Sequence, residues 1–131
     1  MDAGKRRRLN RIFQSDGRTV IVPMDHGVSL GPVKGLVDMP SIVGKLREGH
    51  CDAIVVHKGI ARHARTDGLG LIVHLSASTS CGPDVTRKVQ VSQVEEAIAL
   101  GADAVSVHIN VGADAEPDML MGLGRIAGEC E

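Results

Sequence analysis

Aromatic residues are nearly absent from this chain. Phe13 is the only one, with no tyrosine and no tryptophan, so the core must be built from Val, Ile, Leu, Met and Ala. Cysteine is scarce as well. Cys51, Cys81 and Cys130 are odd in number and show no CxxC spacing, which excludes a disulfide framework and a thiolate metal knuckle. The default is a reduced, cytoplasmic protein. No apolar run approaches the roughly 20 residues of a membrane span, and the start of the chain carries Lys5-Arg6-Arg7-Arg8 where a signal peptide would carry an apolar region. Charge of one sign is missing too. Fifteen basic residues against 16 acidic ones leave a net charge of −1, with no global pull toward nucleic acid or an anionic membrane.

What the chain does have is apolar material, 43% of 131 residues, enough for one compact domain. Its centre of organisation is the stretch 19–32, Thr-Val-Ile-Val-Pro-Met-Asp-His-Gly-Val-Ser-Leu-Gly-Pro. A β-branched run there breaks into an acid, an imidazole and two glycines, as a buried strand does when it empties into a loop built for chemistry. Asp25 and His26 fall at the carboxyl end of that strand, where α/β folds place their ligands. Gly27, Gly31 and Pro32 shape the loop. The plainer reading is that Asp25 only caps a turn.

Residues 1–18 read as a basic lead-in with a short helix from Arg6 to Phe13. Without interleaved aromatics or a second basic patch, its arginines predict a solvated face and no nucleic-acid partner. Strand one follows at 19–24. Asp38-Met39-Pro40-Ser41 opens a helix with Ile42, Val43 and Leu46 turned inward and Gly49 at its end. Strand two runs from Ala53 to His57, and 60–69 is a connection with room for a helical turn or two. Strand three is Leu71 to Leu75, followed by a loop rich in Ser, Thr and Gly over 76–83 that offers hydroxyls and N–H groups to sugar or carboxylate oxygens. Ser92-Gln93-Val94-Glu95 reads as a capping box, with Val94, Ala97 and Ile98 as the apolar stripe and Gly101 as the stop. Strand four is Ala104 to Ile109, Asn110 lies at its exit, and a last helix starts near Pro117. Apolar strands alternating with helices predict a parallel sheet with right-handed crossovers. Periodicity alone leaves a barrel and an open doubly wound sheet both possible.

Four histidines, His26, His57, His74 and His108, end or follow the four strands and would gather on one face. Taken alone they suggest either a metal site of the hydrolase kind, with Asp25 as a carboxylate ligand, or a polar substrate pocket. Lys58 is the only lysine at a strand end, and a desolvated lysine there is the bottom-up choice of a Schiff-base nucleophile.

Met24-Asp25-His26-Gly27-Val28-Ser29 with Gly31-Pro32, His57-Lys58-Gly59-Ile60, Leu71 to Ser76, and Val105-Ser106-Val107-His108-Ile109-Asn110-Val111-Gly112 together carry a resemblance. The chain, from about Leu9 onward, resembles the aldolase family that joins archaeal-type class I fructose-bisphosphate aldolases to 2-amino-3,7-dideoxy-D-threo-hept-6-ulosonate synthases. The resemblance implies a (β/α)8 TIM barrel of which these residues form the first half, about four parallel strands, with 1–18 as lead-in and 19–131 as the half-barrel. It implies Asp25 as the catalytic proton-transfer group and neither metal nor cofactor; His26 and Asn110, by their positions at strand ends, and Lys58 are read beside it as substrate contacts. It implies phosphorylated ketose and aldehyde substrates, and a homo-oligomer at full length. Under it, the nucleophilic lysine belongs to strand six and a proton-donating tyrosine to strand five, so Lys58 becomes a substrate-facing or ion-pairing residue. A whole barrel takes roughly 250 residues, and the chain is expected to be a truncated half, inactive alone. Two alternatives accompany the synthase reading: a fructose-bisphosphate aldolase on the same scaffold, and a non-catalytic half-barrel that assembles with a partner through its open edges.

Overall fold

The computed structural model describes all 131 residues. Its elements in chain order are α1 (Ala3–Ile12), β1 (Ile21–Pro23), α2 (His26–Leu30), α3 (Met39–Glu48), β2 (Ala53–Val56), α4 (Lys58–Ala61), β3 (Gly70–His74), β4 (Ser76–Ala77), β5 (Val89–Gln90), α5 (Val94–Ala99), β6 (Ala104–Ser106) and α6 (Glu116–Glu129). Four strands form one parallel sheet in the order β1-β2-β3-β6, the order of the chain itself. β4 and β5 form a separate antiparallel hairpin, so the expected open loop after β3 begins instead as a buried strand.

Side chains alternate across the sheet, which gives it two apolar faces. On the outer face Ile54, Val56, Leu71 and Val73 pack with Met39 and Val43 of α3, Val94 and Ala97 of α5, and Ile126 of α6. Ile54, Val56, Val73 and Leu75 are completely enclosed, each burial worth about 1.5–3 kcal/mol relative to exposure. On the inner face Ala53, Val55 and Ile72 meet Ile12 from the end of α1. The basic lead-in therefore acts as a floor beneath the sheet. Arg11 completes it, donating to Asp103 at 3.0 Å while the other oxygen of that carboxylate accepts from the Leu71 N–H at 3.0 Å.

The helices begin and end for local reasons. The Asp38 carboxylate accepts from the Ser41 N–H and starts α3, with Pro40 in the first turn. The expected glycine stop is displaced by one residue. Gly49 keeps φ −79°, and His50 takes the left-handed position at φ 58°. The His50 N–H bonds to the Arg47 carbonyl and the Cys51 N–H to the Leu46 carbonyl, which forms the paired closing bonds of a Schellman turn. At the end of α5 the same turn has Gly101 at φ 81°. The box that opens α5 is also shifted. Gln93 is the cap and Glu96, not Glu95, accepts from its N–H at 3.0 Å.

Two burial expectations are corrected. Val20 and Ile21 were read as part of a buried strand, yet they are 55% and 39% exposed, because β1 is a sheet edge. Ile98 was placed on the apolar stripe of α5, yet it is exposed beside the other edge strand, β6, where no further element covers it. No helix is long and apolar enough to cross a membrane.

Candidate active site

Parallel register sets the level of each inward side chain. Pro23, Val55, Ile72 and Ala104 stand side by side as one layer. Two residues on, the same face carries Asp25, His57, His74 and Ser106, with His74 directly opposite Ser106 in the ladder. The apolar floor thus gives way in a single step to a carboxylate, two imidazoles and a hydroxyl at the carboxyl ends of the strands.

Asp25 occupies the cap position of the short helix α2, but its side chain makes no capping hydrogen bond. It faces His74 instead, with Oδ2 3.5 Å from His74 Nε2. The other ring nitrogen, His74 Nδ1, lies 2.7 Å from Ser106 Oγ. His57 meets His74 edge-on, ring centroids 5.3 Å apart. Burial holds the His57 and His74 imidazoles below their ordinary 6.5, against the opposing pull of the Asp25 carboxylate. The partly exposed Asp25 side chain is the one acidic group of this layer, beside two imidazoles whose charged form burial disfavours.

The hairpin forms the next level. The Ser76 hydroxyl accepts from the His108 N–H at 3.1 Å, and His108 Nε2 lies 3.0 Å from Asn110 Oδ1. Asn110 Nδ2 donates to the Thr86 carbonyl at 2.6 Å, which ties the exit of β6 to the hairpin loop. Ser80 N–H bonds to the Ser29 carbonyl, linking that loop to α2 on the other side.

The residues singled out in the sequence are therefore divided. Asp25 stands at the centre and Asn110 at the rim. His26 is exposed at the start of α2 and has no part in the Asp25–His74 contact. Lys58 turns outward and holds Glu96 at 3.0 and 3.1 Å, the ion-pair role left open for it. The pairing keeps the Glu96 carboxyl below its usual range, first through the hydrogen bond from Lys58. The four strand-end histidines do not converge. Only His57 and His74 adjoin Asp25, and no three histidine, cysteine or carboxylate side chains cluster in metal-binding geometry. Ser106 was missed, although its alternation with Ala104 and His108 on strand four was a readable signal.

Comparison with known proteins agrees with the fold. A 2-amino-3,7-dideoxy-D-threo-hept-6-ulosonate synthase of Halobacterium salinarum is 46% identical over 99% of the chain, and one of Archaeoglobus fulgidus is 46% identical over 98%. A 2-amino-4,5-dihydroxy-6-oxo-7-(phosphonooxy)heptanoate synthase of Streptomyces griseus is 42% identical over 95%. The chain spans about half the length of these relatives: 49%, 49% and 47%. Among solved structures, a Schiff-base-forming fructose-1,6-bisphosphate aldolase and an archaeal fructose-1,6-bisphosphate aldolase each superpose with a TM-score of 0.84 at 30% identity, covering 95% of this chain and 52% of theirs. These are barrel aldolases, and the four-stranded parallel sheet corresponds to half of such a barrel. The DeoC/LacD family of aldolases matches residues 19–131, and the chain belongs to that family.

Proposed function

We propose that these residues serve as the amino-terminal half of a Schiff-base transaldolase of the 2-amino-3,7-dideoxy-D-threo-hept-6-ulosonate synthase kind. The reaction joins a fragment derived from 6-deoxy-5-ketofructose 1-phosphate to L-aspartate semialdehyde, on the route to 3-dehydroquinate and the aromatic amino acids. The observation that carries the reading is the placement of Asp25 at the carboxyl end of β1, 3.5 Å from His74 and level with His57 and Ser106. The 46% identity to two synthases supports this substrate class over fructose 1,6-bisphosphate.

In this reading a lysine beyond residue 131 forms the Schiff base with the ketose carbonyl. Asp25 takes the proton of the hydroxyl next to the bond that breaks, the carbon bearing it leaves as an aldehyde, and the bonding electrons pass to the protonated imine, which becomes an enamine. When the new aldehyde enters, the enamine carbon attacks it and the proton returns from Asp25 to the nascent alkoxide. His74, steadied by Ser106, keeps the carboxylate turned toward the reacting carbon. His57 packs edge-on against His74 at the same level, and Asn110 shapes the rim through His108. Lys58 and His26 serve as outer contacts, Lys58 because its ammonium is held by Glu96 and His26 because it is exposed on α2. The two free edges of the sheet, β1 and β6, are where strands of the remaining half would pair. The protein works in the cytoplasm as a homo-oligomer.

The test uses the longest product of the coding DNA that carries these residues. Borohydride added with the ketose phosphate should leave a covalent adduct on a lysine after residue 131, and L-aspartate semialdehyde should be consumed in the absence of borohydride. No adduct, or turnover of fructose 1,6-bisphosphate in preference to the deoxyketose, overturns the reading.

A further inference from the structure

One cation on the same side of the molecule has no acid to neutralise it. Lys88 sits just before β5, half-buried, and its ammonium donates to the Ser78 hydroxyl at 2.7 Å. None of the eight ion pairs in the chain includes it. Arg87 next to it is taken up by Asp118, and Lys58 by Glu96. The hairpin register explains where Lys88 points. Ser76 pairs with Gln90 and Ala77 with Val89, so Lys88 falls opposite Ser78. Residues 74, 76 and 78 share a parity, which continues the inward face of β3 up the wall of the site. Ser78 is itself fixed, since its hydroxyl donates to the Val85 carbonyl at 2.7 Å. The charge of Lys88 is felt at His74, one of the influences that hold that ring neutral.

We propose that Lys88, seated on Ser78, is an anion subsite that binds the negatively charged end group of the substrate. A half-buried ammonium with a hydroxyl partner and no carboxylate is well placed to accept a phosphate or carboxylate as its counter-ion. The span from His74 to Ser78 is four residues, at most about 14 Å of extended chain. A group bound there lies on the same inward face as His74, at most about that far up the wall from it. The loop between β4 and β5 becomes a specificity element, anchored by Asn110 on one side and Ser29 on the other. This assignment rests on the transaldolase reading for the identity of the substrate, though not for the existence of the subsite.

Two measurements test it. In the longest product that carries these residues, Lys88→Gln should raise KM about 10- to 100-fold for one substrate, with a much smaller change in kcat, and Lys88→Arg should recover most of the loss. A rise confined to the ketose phosphate assigns the phosphate; a rise confined to L-aspartate semialdehyde assigns the carboxylate. Unchanged KM values for both overturn the proposal. In the 131-residue chain, inorganic phosphate or acetate should shift the NMR signals of Ser78 and Lys88, and Lys88→Gln should abolish the shifts. Shifts confined to the arginines of α1, or retained in Lys88→Gln, also overturn it. Should the longer product show no aldolase turnover, the transaldolase reading falls, and the titration alone decides the subsite.

Discussion

His74 Nε2 stands 3.5 Å from Asp25 Oδ2 while its Nδ1 stands 2.7 Å from Ser106 Oγ. A neutral imidazole carries one proton, and the geometry assigns it. The Asp25 carboxylate only accepts, so the nitrogen that faces it, Nε2, is the favoured seat of the ring proton, and Nδ1 is then left to accept from the Ser106 hydroxyl. At 3.5 Å the contact steers the carboxylate rather than gripping it. Ser106→Ala releases the ring to the other tautomer and leaves Asp25 facing a lone pair. In the longer product kcat should fall about tenfold, the equivalent of one ordinary hydrogen bond. KM should stay near its starting value, and Ser106→Thr should restore the rate. The ring ¹⁵N shifts of His74 in the 131-residue chain check the tautomer directly. If they show Nδ1 protonated, the orientation described here is wrong.

The same two rings make stability depend on pH. His57 and His74 are held below their ordinary 6.5 chiefly because burial penalises the charged form. Below that value the unfolded chain binds protons that the folded chain refuses, so acid favours unfolding. The stabilisation is whole above pH 6.5. It is lost as pH falls from there toward the depressed values of the folded rings. Melting temperatures followed by circular dichroism from about pH 7.5 down to about 5.5 should therefore decline. The double variant His57→Gln, His74→Gln should flatten that decline; an equally steep curve in the variant would assign it to other groups.

Much of this was legible in the sequence, for physical reasons that differ by element. Buried parallel strands are continuous apolar runs, so Ala53–Val56 and Gly70–His74 appear within a residue of their reading. The start of α3 was equally plain, because Asp38 and Pro40 act locally. What a sequence could not supply was direction. His57, His74 and Ser106 share a level only through the sheet register, and Lys88 meets Ser78 only because the loop folds back as a hairpin. Lys58 looked catalytic from its position after an apolar strand, but its side chain finds Glu96, 38 residues on in a different helix. The exposure of Val20, Ile21 and Ile98 was hidden for a similar reason, since nothing local says which strands lie at an edge.

Gly70 tests the floor of the sheet. A Cβ there would lie 2.8 Å from the Arg11 carbonyl oxygen and 3.1 Å from both Ala53 Cβ and Ile12 Cγ1. Backbone oxygen cannot turn aside as a side chain does, so Gly70→Ala must push the end of α1 off β3. The cost should be about 1–3 kcal/mol, as for other overpacked cores. Gly44, inside α3, is the control. A Cβ there meets nothing within 4 Å, and Gly44→Ala should stabilise by about 0.5–1 kcal/mol through helix propensity. Urea denaturation of the three proteins checks the opposite signs. A neutral Gly70→Ala would mean that α1 does not rest on the sheet.

At the end of α3 the glycine and the left-handed residue are out of step by one position. Gly49 spends its freedom at φ −79°, where any residue is comfortable, and His50 sits at φ 58° with a side chain that disfavours it. A Cβ on Gly49 would come no nearer than 3.4 Å to the Lys45 carbonyl oxygen, close but without overlap. His50→Gly should relieve the strain and stabilise by about 0.5–1 kcal/mol. Adding Gly49→Ala should hold or extend the gain, because the unfolded chain then has less backbone freedom to lose. The reverse arrangement, Gly49 retained with His50→Val, should destabilise, since a β-branched residue fits the left-handed region worst. Ranked melting temperatures with the glycine variant highest and the valine variant lowest are the expected result. A histidine at least as stable as glycine would show that its imidazole contributes something at this turn that backbone geometry does not account for.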